Sequence, residues 1–508
     1  MSRRAWWGVA VLVASLPMAA CSVGPNFVEP DAHLPEKSFY GDNGVPYPDR
    51  KLPAPTDPTW WNVFHDPTLT ALEQQVAEAN LDVRTATVRL AESRFQRGVA
   101  AASQFPSVNG DAKYQRELYS QNGIVSLLSG LLGPAAAAAA GGGAAPGAVN
   151  EYNTGFDASW ELDLWGHVRR SVEAADAQVE QAADQRRDAL VSSLAEVARD
   201  YIQLRGVQMQ IKIAQDNLKV DGDVLQLARD REQRGVQSGL DVENAASQVE
   251  SIRAQIPSLE QQETQDLNAL SLLLDQPPGS LRSRLGAGRS VPPSPPRIPL
   301  GIPSELARRR PDIRAAEDQL HAATANIGVA VASFYPTVQL NGTVGFDSLH
   351  LNNLYNASSL QYTVGPSVTL PIFAGGKLKN TLELRDAQQQ EAAIAYRKTV
   401  LQAWHDVVNA LVAHRLERVR RERLKAQGDH SRAALELARA RYKDGVTDFI
   451  TVLDTERTLL QAEQEYATST TNVALDLVQL FKALGGGWET TFPDEPPKQP
   501  DIALVLSP

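Results

Sequence analysis

Phe156-Asp157-Ala158-Ser159-Trp160-Glu161-Leu162-Asp163-Leu164 alternates apolar and polar side chains without a break. A period of two puts Phe156, Ala158, Trp160, Leu162 and Leu164 on one face of a strand, and Asp157, Ser159, Glu161 and Asp163 on the other. Three further stretches behave alike. Val108, Gly110, Ala112 and Tyr114 alternate with Asn109, Asp111, Lys113 and Gln115. Val338, Leu340, Gly342, Val344 and Phe346 alternate with Gln339, Asn341, Thr343 and Gly345. Tyr362, Val364, Pro366, Val368, Leu370 and Ile372 alternate with Thr363, Gly365, Ser367 and Thr369. The pattern predicts strands over 107–116, 153–165, 337–347 and 361–373. Each is close to the ~9–11 residues that a tilted strand needs to cross a bilayer. One apolar and one polar face suit a barrel with lipid outside and water within. A soluble antiparallel sheet with one wet face alternates in the same way, so the strands by themselves leave both readings open.

In lipid, four strands cannot satisfy their own edges, and the smallest closed membrane barrels use about 8. A membrane-bound chain must therefore lend its strands to a shared barrel, and three copies related by a threefold axis give twelve. Asp111, Asp157, Glu161 and Asp163 on the polar side predict an acidic, cation-preferring lumen. Pro366 cannot donate to a ladder and predicts an edge strand or a bulge.

The chain repeats itself. Ala228-Arg229-Asp230-Arg231 followed by Gly235-Val236 recurs 210 positions later as Ala438-Arg439-Ala440-Arg441 followed by Gly445-Val446. Phe105-Pro106-Ser107-Val108 recurs 230 positions later as Tyr335-Pro336-Thr337-Val338. The first copy is thus the longer, and the Ala/Gly-rich stretch between Pro134 and Pro146 accounts for the excess. Each copy reads helix, two strands, a very long helix, a tight turn and another long helix. No proline interrupts Gly166–Gly235 or Gly376–Gly445, and each span makes about 100 Å of helix. Such lengths suggest coiled-coil-like packing. The expected division is a first copy over 59–290 with long helices at 166–234 and 239–275, a proline-rich joint at 291–303, and a second copy over 304–488 with long helices at 376–444 and 448–485. A C-terminal tail occupies 489–508.

Cys21 is the only cysteine among 508 residues. It follows Arg3 and Arg4, an apolar run from Trp6 to Leu16, and the small-residue stretch Met18-Ala19-Ala20. This order reads as a secretory signal peptide over 1–20, with Cys21 at the cut as a lipidation site and 21–58 as a lipid-anchored extended strap. Ordinary secretion with a chance cysteine is the alternative; no second cysteine exists to form a disulfide. The net charge of −11 argues against nucleic acid. The histidines (His33, His65, His167, His321, His350, His405, His414 and His430) show no ligand spacing, and no phosphate loop or nucleophile elbow is present. The chain therefore reads as a non-enzyme without metal or cofactor. A periplasmic coiled-coil scaffold would explain the helices but not the four alternating strands.

At this point the residues resemble the TolC-like outer-membrane efflux factors, in their NodT-type lipoprotein branch. The resemblance is carried by Cys21-Ser22-Val23-Gly24-Pro25-Asn26-Phe27, by Trp60-Trp61 with Phe64, Asp66-Pro67 and Leu69, and by Ser159–Gly166. Further matches are Arg308-Arg309-Arg310-Pro311-Asp312-Ile313, Leu370-Pro371-Ile372-Phe373 with Gly375-Gly376, and Leu480–Trp488. It implies a mainly α-helical trimer with membrane β-structure: a shared 12-stranded barrel in the outer membrane, an equatorial region and a long helical tunnel in the periplasm. It implies docking to a periplasmic adaptor and an inner-membrane RND-type transporter, and passive passage of drugs or other small toxic compounds. A duct for type I protein secretion uses the same kind of channel and is the nearest alternative.

In that family the two helix–helix turns form the closed end of the tunnel and the adaptor's grip. Gly235 and Gly445 suit helix C-termini that need a left-handed residue. Val236 and Val446 would then be exposed contacts for the adaptor. Asp241, Asp448 and Asp454 are candidates for carboxylate rings at the constriction: by resemblance Asp241 and Asp454 match commonly acidic positions, another acidic position of the family holds Thr451, so that the second-copy ring is either Asp448 or absent, and Tyr442 matches a gate tyrosine. The gate's basic position holds Thr447, with Arg441 and Lys443 as nearby substitutes. Helix capping by Asp241 and Asp448 is the plainer reading of those two acids.

Overall fold

A computed structural model of the chain describes residues 22–33, 58–118, 148–295 and 306–494. The expected signal peptide, Cys21, most of the expected strap, the Ala/Gly-rich stretch, part of the joint and most of the tail lie outside the described residues. The main elements are α1 (Pro67–Ala79), α2 (Leu81–Ala102), β1 (Ser107–Glu117), β2 (Val149–Leu162), α3 (His167–Gln233) and α4 (Gly239–Leu273). They continue with α5 (Pro311–Ala332), β3 (Thr337–Ser348), β4 (Leu360–Thr369), α6 (Lys377–Lys443) and α7 (Phe449–Leu484). The repeat is visible in this order, and α3 and α6 are both 67 residues long.

The chain divides into two compact units. The first comprises Ser93–Val179, Gln319–Ala392 and the N-terminal segment up to Val28. It holds the sheet, four antiparallel strands in the order β1-β2-β3-β4. Register joins the apolar sets of all four strands. Gly110, Phe156, Val344 and Tyr362 stand in one row, and Val108, Ala158, Gly342 and Val364 in the next. Asn109, Asp157, Thr343 and Thr363 form a row on the opposite face. On that face Asn109 donates to Asp157 at 3.1 Å, and Asn341 to Ser367 at 2.9 Å.

Three strand ends differ from the sequence expectation. β2 starts at Val149 because it pairs with β1 as far as Glu117, and stops at Leu162, where Leu164 N–H closes a tight turn onto the Leu162 carbonyl at 2.8 Å. Asp163 leaves the lumen face altogether. Its Oδ2 accepts from the Arg169 N–H at 2.9 Å and from Nε at 3.2 Å, so its charge is answered at the start of α3. β4 stops at Thr369, short of 373: Pro371 offers no N–H, and Gly375 and Gly376 turn the chain at φ 57° and 84°.

The second unit comprises Glu29–Glu92, Glu180–Asp318 and Ala393–Pro508. Its main core gathers Trp60, Trp61, Phe64, Leu69, Leu194, Tyr201, Leu477, Phe481 and Trp488. Trp60 stacks on Phe481 at 5.2 Å and meets Trp61 edge-on at 5.7 Å. Asp66 caps α1, accepting from the N–H groups of Thr68 and Leu69, and takes the Tyr201 hydroxyl at 2.6 Å. Arg310 donates to Asp312 and to the Ala483 carbonyl, covering the open C-terminal end of α7. The motifs that carried the family resemblance in this unit are thus its packing anchors.

Gly155 and Gly345 face each other across β2 and β3. A Cβ on Gly155 would lie 2.7 Å from the Val344 carbonyl oxygen and 2.9 Å from the Gly345 Cα. Both neighbours are backbone and cannot swing aside. A Cβ on Gly342, on the apolar face, meets nothing nearer than 3.9 Å. Gly155→Ala is therefore expected to reduce the amount of folded protein in outer membranes sharply, while Gly342→Ala leaves it unchanged. Quantitative blotting of membrane fractions checks this, and equal amounts would contradict the close approach.

Candidate functional site

The sheet is built for two solvents. Its apolar face exposes Val108, Phe156, Val344, Tyr362, Val364 and Val368 along the single chain. Aromatic side chains collect at both ends. At one end Tyr114 lies against Tyr152 at 4.9 Å, and Phe346 meets Tyr355 edge-on at 5.5 Å. At the other, Trp165 stacks on Tyr335 at 4.8 Å and donates to the Pro336 carbonyl at 2.8 Å, while Trp160 donates to the Gln104 carbonyl at 3.0 Å. From Tyr152 to Trp160 the strand rises about 26 Å at ~3.3 Å per residue. That matches the ~25 Å apolar band, flanked by aromatic girdles, of outer-membrane barrels. The alternation was legible in the sequence; the girdles needed the register that aligns aromatics from β1, β2, β3 and the segments joining them.

The N-terminal segment is seated beside the Trp165 end of the sheet. Val23 N–H donates to the Trp165 carbonyl at 3.1 Å. Arg170 reaches the Val23 carbonyl at 3.3 Å and Asn26 at 2.7 Å, and Phe27 stacks on His321 at 4.3 Å. Gly24 and Gly328 touch backbone to backbone, so a Cβ on Gly24 would fall 2.6 Å from the Gly328 Cα. Cys21 itself is outside the described residues. Its neighbour Ser22 packs against Gly166, at the junction of strand and long helix.

The second site is the pair of helix–helix turns, in the second unit. Both close identically. Gly235 N–H bonds the Glu232 carbonyl and Val236 N–H the Arg231 carbonyl, at 2.8 and 3.0 Å. Gly445 and Val446 make the equivalent bonds to Tyr442 and Arg441, at 3.1 and 2.9 Å. Both glycines sit at φ 72°, the left-handed conformation that ends a helix. Val236 and Val446 are 74% and 63% exposed, next to exposed Leu240 and Ile450. Beneath them Leu225, Ala228, Val242, Ala245, Val249, Phe449 and Leu453 pack the two hairpins together.

The candidate acids have different surroundings. Asp241 is half-buried in the first turn of α4, and its carboxylate accepts from the Ser238 hydroxyl at 3.0 Å. Ser238 in turn receives the Asp241 N–H at 3.4 Å, as a cap. Asp448 holds the N-cap position of α7 but makes no side-chain capping bond, and its carboxylate is exposed. Asp454 is exposed a turn further along. Tyr442 joins the hairpins: its hydroxyl donates to Gln237 Oε1 at 2.9 Å, and its ring lies against Phe449. The basic group at this tyrosine is Arg231, whose guanidinium lies 4.8 Å from the ring centroid. Arg231 is the repeat equivalent of Arg441, and only the packing of one hairpin on the other brings it to Tyr442. Among the described residues no three His, Cys, Asp or Glu side chains come together as a metal site. Nor is any described helix long and apolar enough to cross a membrane.

Comparison with known proteins agrees with this geometry. The family described as "Outer membrane efflux protein" matches residues 72–276 and 302–486. The chain is 30% identical to outer membrane protein OprJ of Pseudomonas aeruginosa over 96% of its own length and 97% of that protein. It is 29% identical to the toluene efflux pump outer membrane protein TtgI of Pseudomonas putida, over 94% and 98%. Its fold superposes on the outer-membrane channel OprN with a TM-score of 0.82 at 32% identity, covering 92% of this chain and 100% of that one. For the open state of the MtrE outer membrane channel of Neisseria gonorrhoeae the TM-score is 0.77 at 30% identity, covering 92% and 99%. The TolC-like fold, the two-faced sheet and the near full-length match agree: this chain belongs to the outer membrane efflux protein family and is an outer-membrane channel that extends into the periplasm.

Proposed function

We propose that three copies of this chain close one twelve-stranded barrel, anchored by lipid on Cys21, and serve as the passive exit duct of a tripartite efflux pump. One observation carries the reading: the sheet has a continuous apolar face, yet among the described residues β1 and β4 each have one edge with no strand against it. In lipid an open edge costs several kcal/mol per unpaired group, and β4 of one copy against β1 of the next removes all such edges. An inner-membrane RND-type transporter and a periplasmic adaptor supply the drive and the docking, since a duct has no energy source of its own. No cofactor is needed for that role. The names of relatives that handle toluene, solvents or antibiotics favour small toxic compounds as cargo.

The turns are the periplasmic gate in this reading. Tyr442, held by Gln237 and Arg231, keeps the hairpins together, and the uncapped Asp448 supplies a carboxylate ring on the threefold axis, with Asp241 and Asp454 nearby. Gly235, Val236, Gly445 and Val446 form the surface offered to the adaptor. In planar lipid bilayers at neutral pH the wild-type protein should conduct weakly, and Tyr442→Phe and Asp448→Ala should each raise single-channel conductance, Asp448→Ala without lowering the melting temperature. Unchanged conductance with a lower melting temperature would leave Asp448 and Tyr442 as stabilising residues only. Val236→Asp with Val446→Asp should abolish efflux-dependent drug tolerance in cells while conductance stays at the wild-type value. Retained tolerance would move the docking surface elsewhere.

A further inference from the structure

Above the turns, the four long helices bring polar side chains together in an otherwise apolar interior. Asp221 comes from α3, Gln248 from α4, Arg439 from α6, and Glu456 and Arg457 from α7. Asp221 and Glu456 are each only 3% exposed, and Gln248 6%. Arg439 donates to Glu456 Oε1, and Arg457 Nε donates to Gln248 Oε1 at 2.9 Å. Among the described residues neither Asp221 oxygen nor the remaining Glu456 oxygen has a well-formed hydrogen bond, although Gln248 and Glu456 both lie beside Asp221. Two buried carboxylates thus face each other, and the one guanidinium bonded to them is taken by Glu456. Both can be ionised only against desolvation and mutual repulsion. A single proton removes that conflict: an Asp221 O–H can donate to the free Glu456 oxygen, satisfying both sides at once.

We propose that Asp221 and Glu456 are a buried proton-binding pair that clasps the first helical hairpin to the second, holding them together when protonated and loosening them when the proton leaves. Burial first, and the Glu456 charge second, push the Asp221 carboxyl up to about 7, against the pull of the Gln248 amide and then of Arg439. The proton comes from and returns to solvent; no other reactant is needed. Arg439 lies one helical turn before Tyr442, so loosening here reaches the Tyr442–Gln237 link directly.

The sign follows from the raised carboxyl. The folded protein holds the proton more tightly than the unfolded chain, so this stability is complete below about pH 4 and lost as pH rises to about 7. The effect on conductance rests on the turns being the closed end, whereas the effect on melting does not. The test is to measure melting temperature from pH 5 to 8 and bilayer conductance from pH 6 to 8, on the full-length detergent-extracted protein. Wild type should lose melting temperature and gain conductance several-fold as pH rises. Asp221→Asn, a mimic of the protonated acid, should flatten the conductance step and reduce the fall in melting temperature. If that variant does not assemble, Glu456→Gln takes away the second cause of the raised Asp221 carboxyl and should shrink both pH-dependent changes. Wild-type pH dependence of both quantities in these variants overturns the proposal while leaving the channel intact. A protein that conducts at no pH contradicts the duct instead, and the melting comparison alone then decides for or against the pair.

Discussion

A strand edge cannot be left open in hydrocarbon, and the other features of this protein follow from that. Each unpaired N–H or C=O there lacks the water that would satisfy it on a soluble sheet. Four strands with an apolar face are therefore a fraction of a barrel. The close backbone approach at Gly155 and Gly345, the free edges at β1 and β4, and the aromatic girdles at Trp160 and Tyr152 make physical sense together only as parts of a closed wall with water on one side.

The duplicated sequence has been put to unequal use at the turns. Gly235-Val236 and Gly445-Val446 close their helices with the same bonds, so the geometry is inherited by both copies. The chemistry around them is not. Ser238 caps α4 and binds Asp241, whereas Asp448 leaves its carboxylate unused by α7. Arg231 faces Tyr442 across the hairpin junction, with no counterpart made by Arg441. At the turns, the divergence between the copies falls on groups that can join or release the two hairpins.

Much of this was legible in the chain itself. Alternation located all four strands, because a period of two survives whatever the strands pack against. Proline-free spans bounded by glycine located α3 and α6 to within a residue of their ends. Strand ends were less legible: Leu164, Leu370 and Ile372 keep the alternation going after the hydrogen bonding has stopped, since a local turn at Leu162 and Pro371 decides the matter. Asp163 was misread for the same reason, its partner Arg169 lying beyond the strand. Least legible were the long-range pairings. Nothing local marks Asp221 as a neighbour of Glu456, or Arg231 as a neighbour of Tyr442, because each contact joins the first copy to the second.

The native mass of the protein extracted from outer membranes in mild detergent tests the central claim most directly. A particle of three chains, stable at neutral pH, is the predicted result, because only a closed barrel leaves no edge in lipid. A single folded chain in the membrane fraction, or a protein recovered from the soluble periplasm, would contradict the shared barrel and everything built on it.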